Sequence, residues 1–151
     1  MKESHLNTII KNSLDWGFKI PDNPLGSIPL CFDGFGVFRN KPVYWESKSL
    51  NKPQSFNFKY LKQHQIDNLL WLQSNIVISV SLFLIGVNYG RSQKRVYVFR
   101  DMDYIRRRKE ANNNILKKEF DKRKNFLLIK NQLIDIGHIL SMPLEWEYET
   151  L

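Results

Sequence analysis

Two carboxylates and a lysine lie close together in the first third of the chain. Asp33 precedes Glu46 by thirteen positions, and Lys48 follows Glu46 at i+2. Residues 43–48 have the pattern of a strand, in which successive side chains point to opposite faces. Glu46 and Lys48 therefore share a face with Tyr44, about 7 Å apart along the strand at its usual rise.

These residue types can hydrolyse a phosphodiester bond with the help of a metal ion. Carboxylate oxygens are hard ligands that suit Mg²⁺, and the ion polarises the phosphate and lowers the pKa of a bound water. A lysine ammonium beside the ion can orient that water and offset the developing negative charge. Plainer explanations exist for each part: Asp33 as an Asx-turn residue beside Gly34, and Glu46 with Lys48 as an ion pair on an exposed strand.

The motifs also resemble a known group of enzymes, the PD-(D/E)XK nucleases, and more narrowly the RecU-type Holliday junction resolvases. The similarity runs from Cys31 to Leu72 and rests on four motifs: Asp33-Gly34-Phe35-Gly36-Val37-Phe38, Trp45-Glu46-Ser47-Lys48-Ser49, Ser55-Phe56 and His64-Gln65. Two differences stand out. Cys31-Phe32 replaces the Ser or Thr that usually precedes the family's metal-binding aspartate, and the segment between Pro21 and Asp33 is too short for the family's inserted stalk.

The resemblance implies a metal site with assigned roles. Asp33 and Glu46 would hold Mg²⁺, for which Mn²⁺ can substitute, and the backbone carbonyl of Ser47 would be a third ligand. Lys48 would activate the attacking water. Gln65, in the middle of the apolar stripe of the second predicted helix, would hold a ligand or the water, the alternative being a core glutamine with an ordinary buried partner.

An acidic residue at the start of the first predicted helix is a further candidate for the site. Leu6 and Ile10 belong to an apolar stripe with helical period, and Glu3 lies in line with that stripe. Many nucleases of this superfamily carry such an acid, so the resemblance makes Glu3 a candidate catalytic residue. The alternative is a helix-start carboxylate that interacts with the helix dipole.

Basic residues are concentrated in one quarter of the chain. Residues 91–130 contain 14 Lys and Arg against 5 Asp and Glu, whereas the rest of the chain contains 9 against 10. Such a stripe indicates a phosphate-backbone partner, although a solvated helix face is the commoner explanation of a basic run taken alone. The candidate DNA-binding residues are Arg106, Arg107, Arg108, Lys109, Lys117, Lys118 and, on the second predicted helix, His64.

Composition favours one domain, residues 1–151. The hydrophobic fraction of 42% can fill a core, and the single cysteine excludes an internal disulfide and fits a reducing compartment. The N-terminus lacks the apolar segment of a signal peptide. The apolar run 76–87 is broken by Ser79, Ser81 and Gly86 and is too short to span a bilayer. We therefore expect a soluble, cytoplasmic protein without a membrane partner.

The element pattern predicts an α/β fold, with a mixed central sheet flanked by helices in the restriction-endonuclease-like arrangement. The predicted helices cover residues 3–16, 59–74, 101–120 with a break near 112–114, and 129–140. The predicted strands cover residues 30–38, 43–48, 78–89, 94–100 and 126–129, with turns at 39–42 and 90–93. In the second strand, Val43 and Trp45 are expected on the face opposite Glu46.

Three functions are compatible with the sequence. The first is a Mg²⁺-dependent endonuclease that acts as a homodimer and nicks four-way DNA junctions symmetrically. The second is a non-catalytic DNA-binding module of the same fold, against which the intact Asp33, Glu46, Lys48 and Gln65 argue. The third is a PD-(D/E)XK nuclease with a different DNA target, which the sequence does not separate from the first because junction choice depends on dimer geometry.

Overall fold

A computed structural model describes residues 1–21, 31–91 and 93–141, and within them a six-stranded mixed sheet runs in the order β1-β2-β3-β4-β5-β6. The strands are β1 (Trp16–Lys19), β2 (Gly34–Phe38), β3 (Lys41–Leu50), β4 (Val80–Asn88), β5 (Lys94–Phe99) and β6 (Leu127–Leu128). The helices are α1 (Glu3–Ser13), a 3₁₀ helix (Phe58–Tyr60), α2 (Gln63–Asn75), α3 (Met102–Glu110), α4 (Lys117–Lys122) and α5 (Ile136–Ser141). The predicted α/β class, with a mixed central sheet, is confirmed.

The sheet combines one parallel pair with antiparallel neighbours. β3 and β4 run parallel, and the long crossover that a parallel pair needs contains α2, a helix being its usual form. β2 and β3 form an antiparallel hairpin. Its turn consists of Arg39 and Asn40, with φ of 49° and 64°, and positive φ at both positions is typical of the two-residue type I′ turn that matches strand twist.

Helices cover both faces of the sheet. Because successive side chains of β3 point to opposite faces, its residues divide between the two hydrophobic clusters that lie there. Val43 and Trp45 are fully buried in a cluster with Leu6 and Ile9 of α1 and residues of α5. The other face packs against α2 and α3, in a cluster that includes Ile66, Leu69, Met102 and Ile105. The predicted face assignment of β3 and the apolar stripe of α1 are confirmed.

The apolar run 76–87 lies mainly in the centre of the sheet as β4. Its interior is buried along seven consecutive residues, because β3 and β5 flank it and helices cover it. The start of the run lies outside the sheet, with Val77 93% and Ile78 63% exposed. Among the described helices, none has the length and apolar character that crossing a membrane requires.

The first predicted helix was too long. α1 ends at Ser13, and Trp16–Lys19 forms strand β1, which pairs antiparallel with β2. Gly17 lies in β1 and allows the strand to pass close to α1, since a Cβ there would lie 2.8 Å from the Lys11 carbonyl oxygen. Long-range pairing with β2 thus overrides the local helical pattern.

The next predicted strand was also misplaced at its start. β2 begins at Gly34 rather than at residue 30, so Asp33 lies just before the strand. Residues 22–30, which make up most of the segment between Pro21 and Asp33, lie outside the described residues. β3 is longer than predicted, from Lys41 to Leu50, because the hairpin turn needs only two residues.

The second half of the chain follows the prediction with shorter elements. The predicted break in the helix 101–120 is confirmed, since α3 ends at Glu110 and α4 begins at Lys117. The predicted helix 129–140 was wrong in its first half, where Asn131 and Gln132 have φ of 54° and 61° and form a turn. Hydrogen bonds between Lys130 and Leu133 close that turn, so α5 begins only at Ile136.

Candidate metal centre and nucleic-acid surface

The pairing of β2 with β3 brings Asp33 to the middle of β3. The Asp33 amide donates to the Trp45 carbonyl at 3.0 Å, which extends the ladder by one residue. Asp33 Oδ2 then accepts from the Ser47 amide at 2.9 Å and from Ser47 Oγ at 3.1 Å. Two donors on β3 therefore hold the Asp33 carboxylate beside the next acidic residue, Glu46.

Glu46 is the most buried charged residue of the site. Its side chain is fully buried, and its Oε1 accepts from Gln65 Nε2 at 2.9 Å and lies 3.1 Å from Lys48 Nζ. Its Oε2 is buried and has no hydrogen-bond partner among the described residues. Burial and the nearby charge of Asp33, partly offset by Lys48, raise the pKa of Glu46 to about 8.

Glu3 completes the cluster from α1. One carboxylate oxygen from each of Glu3, Asp33 and Glu46 lies within 4.8 Å of the others. Glu3 is the first residue of α1 and its side chain is 43% exposed. It is therefore both a helix-start carboxylate and a neighbour of the buried pair, so the two interpretations of Glu3 are compatible.

Lys48 faces the carboxylates as a cation. Its Nζ lies 3.1 Å from Glu46 Oε1 and 3.8 Å from Glu3 Oε1. Burial by itself lowers the pKa of Lys48, but the charges of Glu46, Glu3 and Asp33 outweigh burial and the net shift is upward. The lysine is thus an ammonium donor at neutral pH, suited to orienting a water or stabilising negative charge rather than accepting a proton.

Gln65 connects the buried glutamate to α2. Its Nε2 donates to Glu46 Oε1, and its Oε1 accepts from the Lys62 amide at 2.9 Å at the start of the helix. Both ends of the amide are thereby used. Gln65 is thus a buried glutamine with both ends hydrogen-bonded, as the interpretation of it as a core residue required. Because one of its partners is the Glu46 carboxylate, it also positions Glu46.

Asn7 supports the site and was not predicted from the sequence. It is buried on α1, and its Oδ1 accepts from Trp45 Nε1 at 2.9 Å and from Ser47 Oγ at 2.7 Å. Ser47 in turn holds Asp33. A polar residue adjoining the apolar stripe of α1, one position after Leu6, was the available signal, because a buried amide needs a partner.

The arrangement fits a divalent cation. Three carboxylates converge, and a buried carboxylate oxygen without a donor is a group that needs an explanation such as an ion. Hard oxygen ligands suit Mg²⁺ or Mn²⁺. Asp33 and Glu46 would hold the ion with Glu3 within reach, and the ion would supply polarisation of a phosphate and activation of water.

Neither protein-family models nor curated protein sequences match this chain.

The predicted DNA-binding residues have different surroundings. Arg106 and Arg107 pair with Asp103 and remain 38% and 58% exposed. Lys109 Nζ donates to the Phe58 carbonyl at 3.0 Å, and burial together with the charge of Lys62 lowers the pKa of Lys109. For the other three, the structure gives an exposed Lys117 paired with Asp121, an exposed Lys118 and a half-buried His64.

Arg108 has to be removed from the candidate DNA surface. It is 7% exposed, and its guanidinium donates to both carboxylate oxygens of Glu119 at 2.9 and 3.0 Å. It also donates to Tyr104 Oη and to the Asn114 carbonyl. Arg108 therefore joins α3 to α4 and to the loop between them. Arg108 points inward because the helical period places it one turn after the buried Ile105, on the same side of α3.

The raised pKa of Glu46 predicts a pH-dependent stability of the metal-free protein. Its folded-state pKa of about 8 lies above the ordinary glutamate value of 4.5. The stabilisation of the folded state by protonated Glu46 is therefore complete below the unfolded-state pKa and is lost as the pH rises through about 8. We expect thermal unfolding in EDTA to occur at lower temperature at pH 9 than at pH 6.

Two comparisons check this assignment. Glu46→Gln should flatten the pH dependence, since the amide does not titrate. Added Mg²⁺ should raise the unfolding temperature more at pH 9 than at pH 6, because the ion binds the ionised carboxylate. Equal pH dependence in the wild type and Glu46→Gln would show that Glu46 is not the titrating group.

Proposed function

We propose that this protein is a Mg²⁺-dependent DNA endonuclease that hydrolyses phosphodiester bonds at the cluster of Glu3, Asp33 and Glu46. The proposal depends mainly on one observation, the surroundings of the fully buried Glu46. One of its carboxylate oxygens has no described hydrogen-bond partner and lies near the carboxylate of Asp33, and the other contacts the Lys48 ammonium. An ordinary structural ion pair would not need the second and third acids.

The chain's own residues would divide the work. Ser47 and Asn7 orient Asp33, and Gln65 orients Glu46, so that both carboxylates are fixed before any ligand binds. The ion would supply electrophilic activation of the phosphate and of water. The Lys48 ammonium would stabilise negative charge as it develops on the phosphate oxygens.

The partly exposed Arg106 and Arg107 on α3 support a nucleic acid as the partner. We expect the double variant Arg106→Gln/Arg107→Gln to bind duplex DNA more weakly and with a flatter dependence on salt. Removal of one contact to a phosphate should reduce the slope of log affinity against log salt by about 0.9. Fluorescence anisotropy over a salt series measures this slope. Mn²⁺ binding should be unchanged, because both arginines pair with Asp103 and not with the carboxylates of the metal centre.

Arg108→Gln is the matched control for that variant. Its side chain is an internal cation, so the substitution should leave the salt slope unchanged. It should lower the free energy of unfolding by about 3 kcal/mol, as expected when one partner of a buried ion pair is removed. Urea unfolding measures that decrease. A double variant with an unchanged slope would place the DNA path elsewhere on the protein.

The narrower proposal, a junction resolvase, is supported by the motifs shared with RecU-type enzymes. Cutting a four-way junction into ligatable products needs two nicks related by a two-fold axis, and hence two copies of the site. We expect a homodimer with twice the chain mass of 18.0 kDa, measured by light scattering at micromolar concentration with and without a junction. A monomer in both states would remove the resolvase proposal and leave a general nuclease.

A cleavage assay with three DNA substrates tests the function and its alternatives. A four-way junction, a linear duplex of the same sequence and a flap are incubated with Mg²⁺ or with EDTA. Symmetric, junction-selective nicks support the resolvase, and even cutting of the linear duplex supports a nuclease with another target. Binding without cleavage in Mg²⁺ and in Mn²⁺ would contradict the nuclease and favour the non-catalytic module.

A further inference from the structure

A cleft of about 360 Å³ lies against the carboxylate cluster. It shares Glu3 and Lys48 with the metal centre, and Ser55, Asn57 and Tyr60 also line it. These last three residues have no part in the chemistry described above. A group bound in the cleft would therefore lie directly beside the phosphate that the carboxylates and Lys48 engage.

Tyr60 is an aromatic residue that the core does not use. The aromatic residues two and four positions before it, Phe58 and Phe56, are buried and pack edge to face with ring centroids 5.4 Å apart. Tyr60 is 58% exposed, and Lys59 Nζ lies 5.1 Å from its ring centroid. The cleft thus has an exposed ring with a cation beside it.

The segment that carries Tyr60 is fixed to the rest of the protein by hydrogen bonds. The Phe58 amide donates to Asn114 Oδ1 at 3.1 Å, and Lys109 Nζ donates to the Phe58 carbonyl at 3.0 Å. Asn57 Oδ1 accepts from the Lys59 amide at 2.9 Å and caps the short helix. An aromatic side chain on a fixed element loses little conformational freedom when a ligand binds.

Besides Lys59, two further lysines lie on neighbouring segments. Lys59 and Lys62 are exposed, and Lys109 lies close enough to Lys62 for the two charges to interact. Proteins bind unpaired nucleotides with this combination, in which cations follow the phosphate backbone and an aromatic side chain stacks on the base. A base inside an intact duplex is already stacked on its neighbours and offers no free face to such a ring.

We propose that the cleft is a nucleotide subsite in which Tyr60 stacks on an unpaired base next to the cleaved bond. The preferred substrate class is then DNA with an unpaired nucleotide at the cleavage position, as occurs at a flap or a bulge, or at a branch point where a base pair opens. This inference rests on the proposed nuclease function and deepens it. Selectivity for irregular DNA would come from the site itself and would not require an inserted stalk.

The test uses 2-aminopurine as a fluorescent base whose emission falls when it stacks. One duplex carries it as a single bulged base, and a second duplex carries it paired with thymine. Binding is measured with Ca²⁺ in place of Mg²⁺. The wild type should quench the bulged probe and bind the bulged duplex more tightly than the paired one.

Substitutions of Tyr60 separate stacking from general DNA binding. Tyr60→Leu should weaken binding to the bulged duplex by about 5- to 150-fold, the range expected for one base stacked on an aromatic side chain, and should abolish the quench. Binding to the paired duplex should stay unchanged, and Tyr60→Phe should behave like the wild type. Trp71→Leu is the control, since Trp71 is 60% exposed on α2 and does not line the cleft.

Equal affinity of Tyr60→Leu and the wild type for the bulged duplex would overturn the subsite. An equal weakening on both duplexes would also overturn it, because Tyr60 would then contact DNA without discriminating. The subsite and the nuclease can fail separately. Cleavage by the wild type in Mg²⁺ with no effect of Tyr60→Leu refutes only the subsite, whereas quenching without cleavage refutes only the nuclease.

Discussion

Asp33→Asn and Glu46→Gln should each abolish DNA cleavage while the protein still binds DNA. Each substitution replaces a carboxylate proposed to hold the metal ion by a neutral amide of nearly the same shape. An ion stabilises the transition state by several kcal/mol, which corresponds to a rate decrease of about 10³-fold or more. DNA affinity in EDTA should stay the same for Glu46→Gln, because the raised pKa keeps that carboxyl largely protonated at neutral pH. It should stay the same or increase for Asp33→Asn, which removes a negative charge near the phosphates.

Cleavage rates at saturating Mg²⁺ and anisotropy titrations measure the two quantities on the same variants. Glu110→Gln is the control, since it removes one negative charge from the exposed end of α3. Circular dichroism confirms that each variant is folded. Cleavage at the wild-type rate in both site variants would show that these carboxylates do not hold the catalytic ion.

Lys48→Ala is the second substitution with a large expected effect. The ammonium lies 3.1 Å from Glu46 and is the cation of the cluster that can reach a developing charge. Removing a preorganised donor of this kind typically costs about 10²–10³ in rate. We expect a decrease of that size at saturating metal, with Mn²⁺ binding retained because the carboxylates are intact.

The comparison with Lys52→Ala separates catalysis from a structural role. Lys52 is an exposed lysine shortly after β3, and its removal should leave the rate unchanged. If Lys48 were only an ion-pair partner, Lys48→Ala would change the free energy of unfolding and leave the rate intact. A wild-type rate for Lys48→Ala at saturating Mg²⁺ would exclude its catalytic role.

The parts of the site that lie on one element could be predicted from the sequence. Strand alternation alone places Glu46 and Lys48 on the same face of β3. Helical period likewise places Gln65 among the apolar residues of α2, where a polar side chain requires a partner. Local periodicity does not identify that partner, and the contact between Gln65 and Glu46 depends on how α2 packs on the sheet.

The features that the sequence did not predict depend on contacts between distant segments. β1 forms because it pairs with β2, and it was not predicted as a strand, its first residue Trp16 being assigned to the first helix. Arg108 belongs to a run of basic residues that look alike in sequence, and its burial becomes evident only through Glu119 on α4. Asn7 acquires its role only when β3 places Trp45 and Ser47 against α1.

A titration with Mn²⁺, followed by the electron paramagnetic resonance signal of the free ion, tests the proposed metal centre most directly. The wild-type protein should bind Mn²⁺ more tightly at pH 9 than at pH 6, because Glu46 must lose its proton, and Mg²⁺ should compete for the site. Glu46→Gln and Asp33→Asn should bind the ion far more weakly. Wild-type protein that leaves all Mn²⁺ free at pH 9, or Glu46→Gln that binds it as tightly as the wild type, would contradict the metal centre.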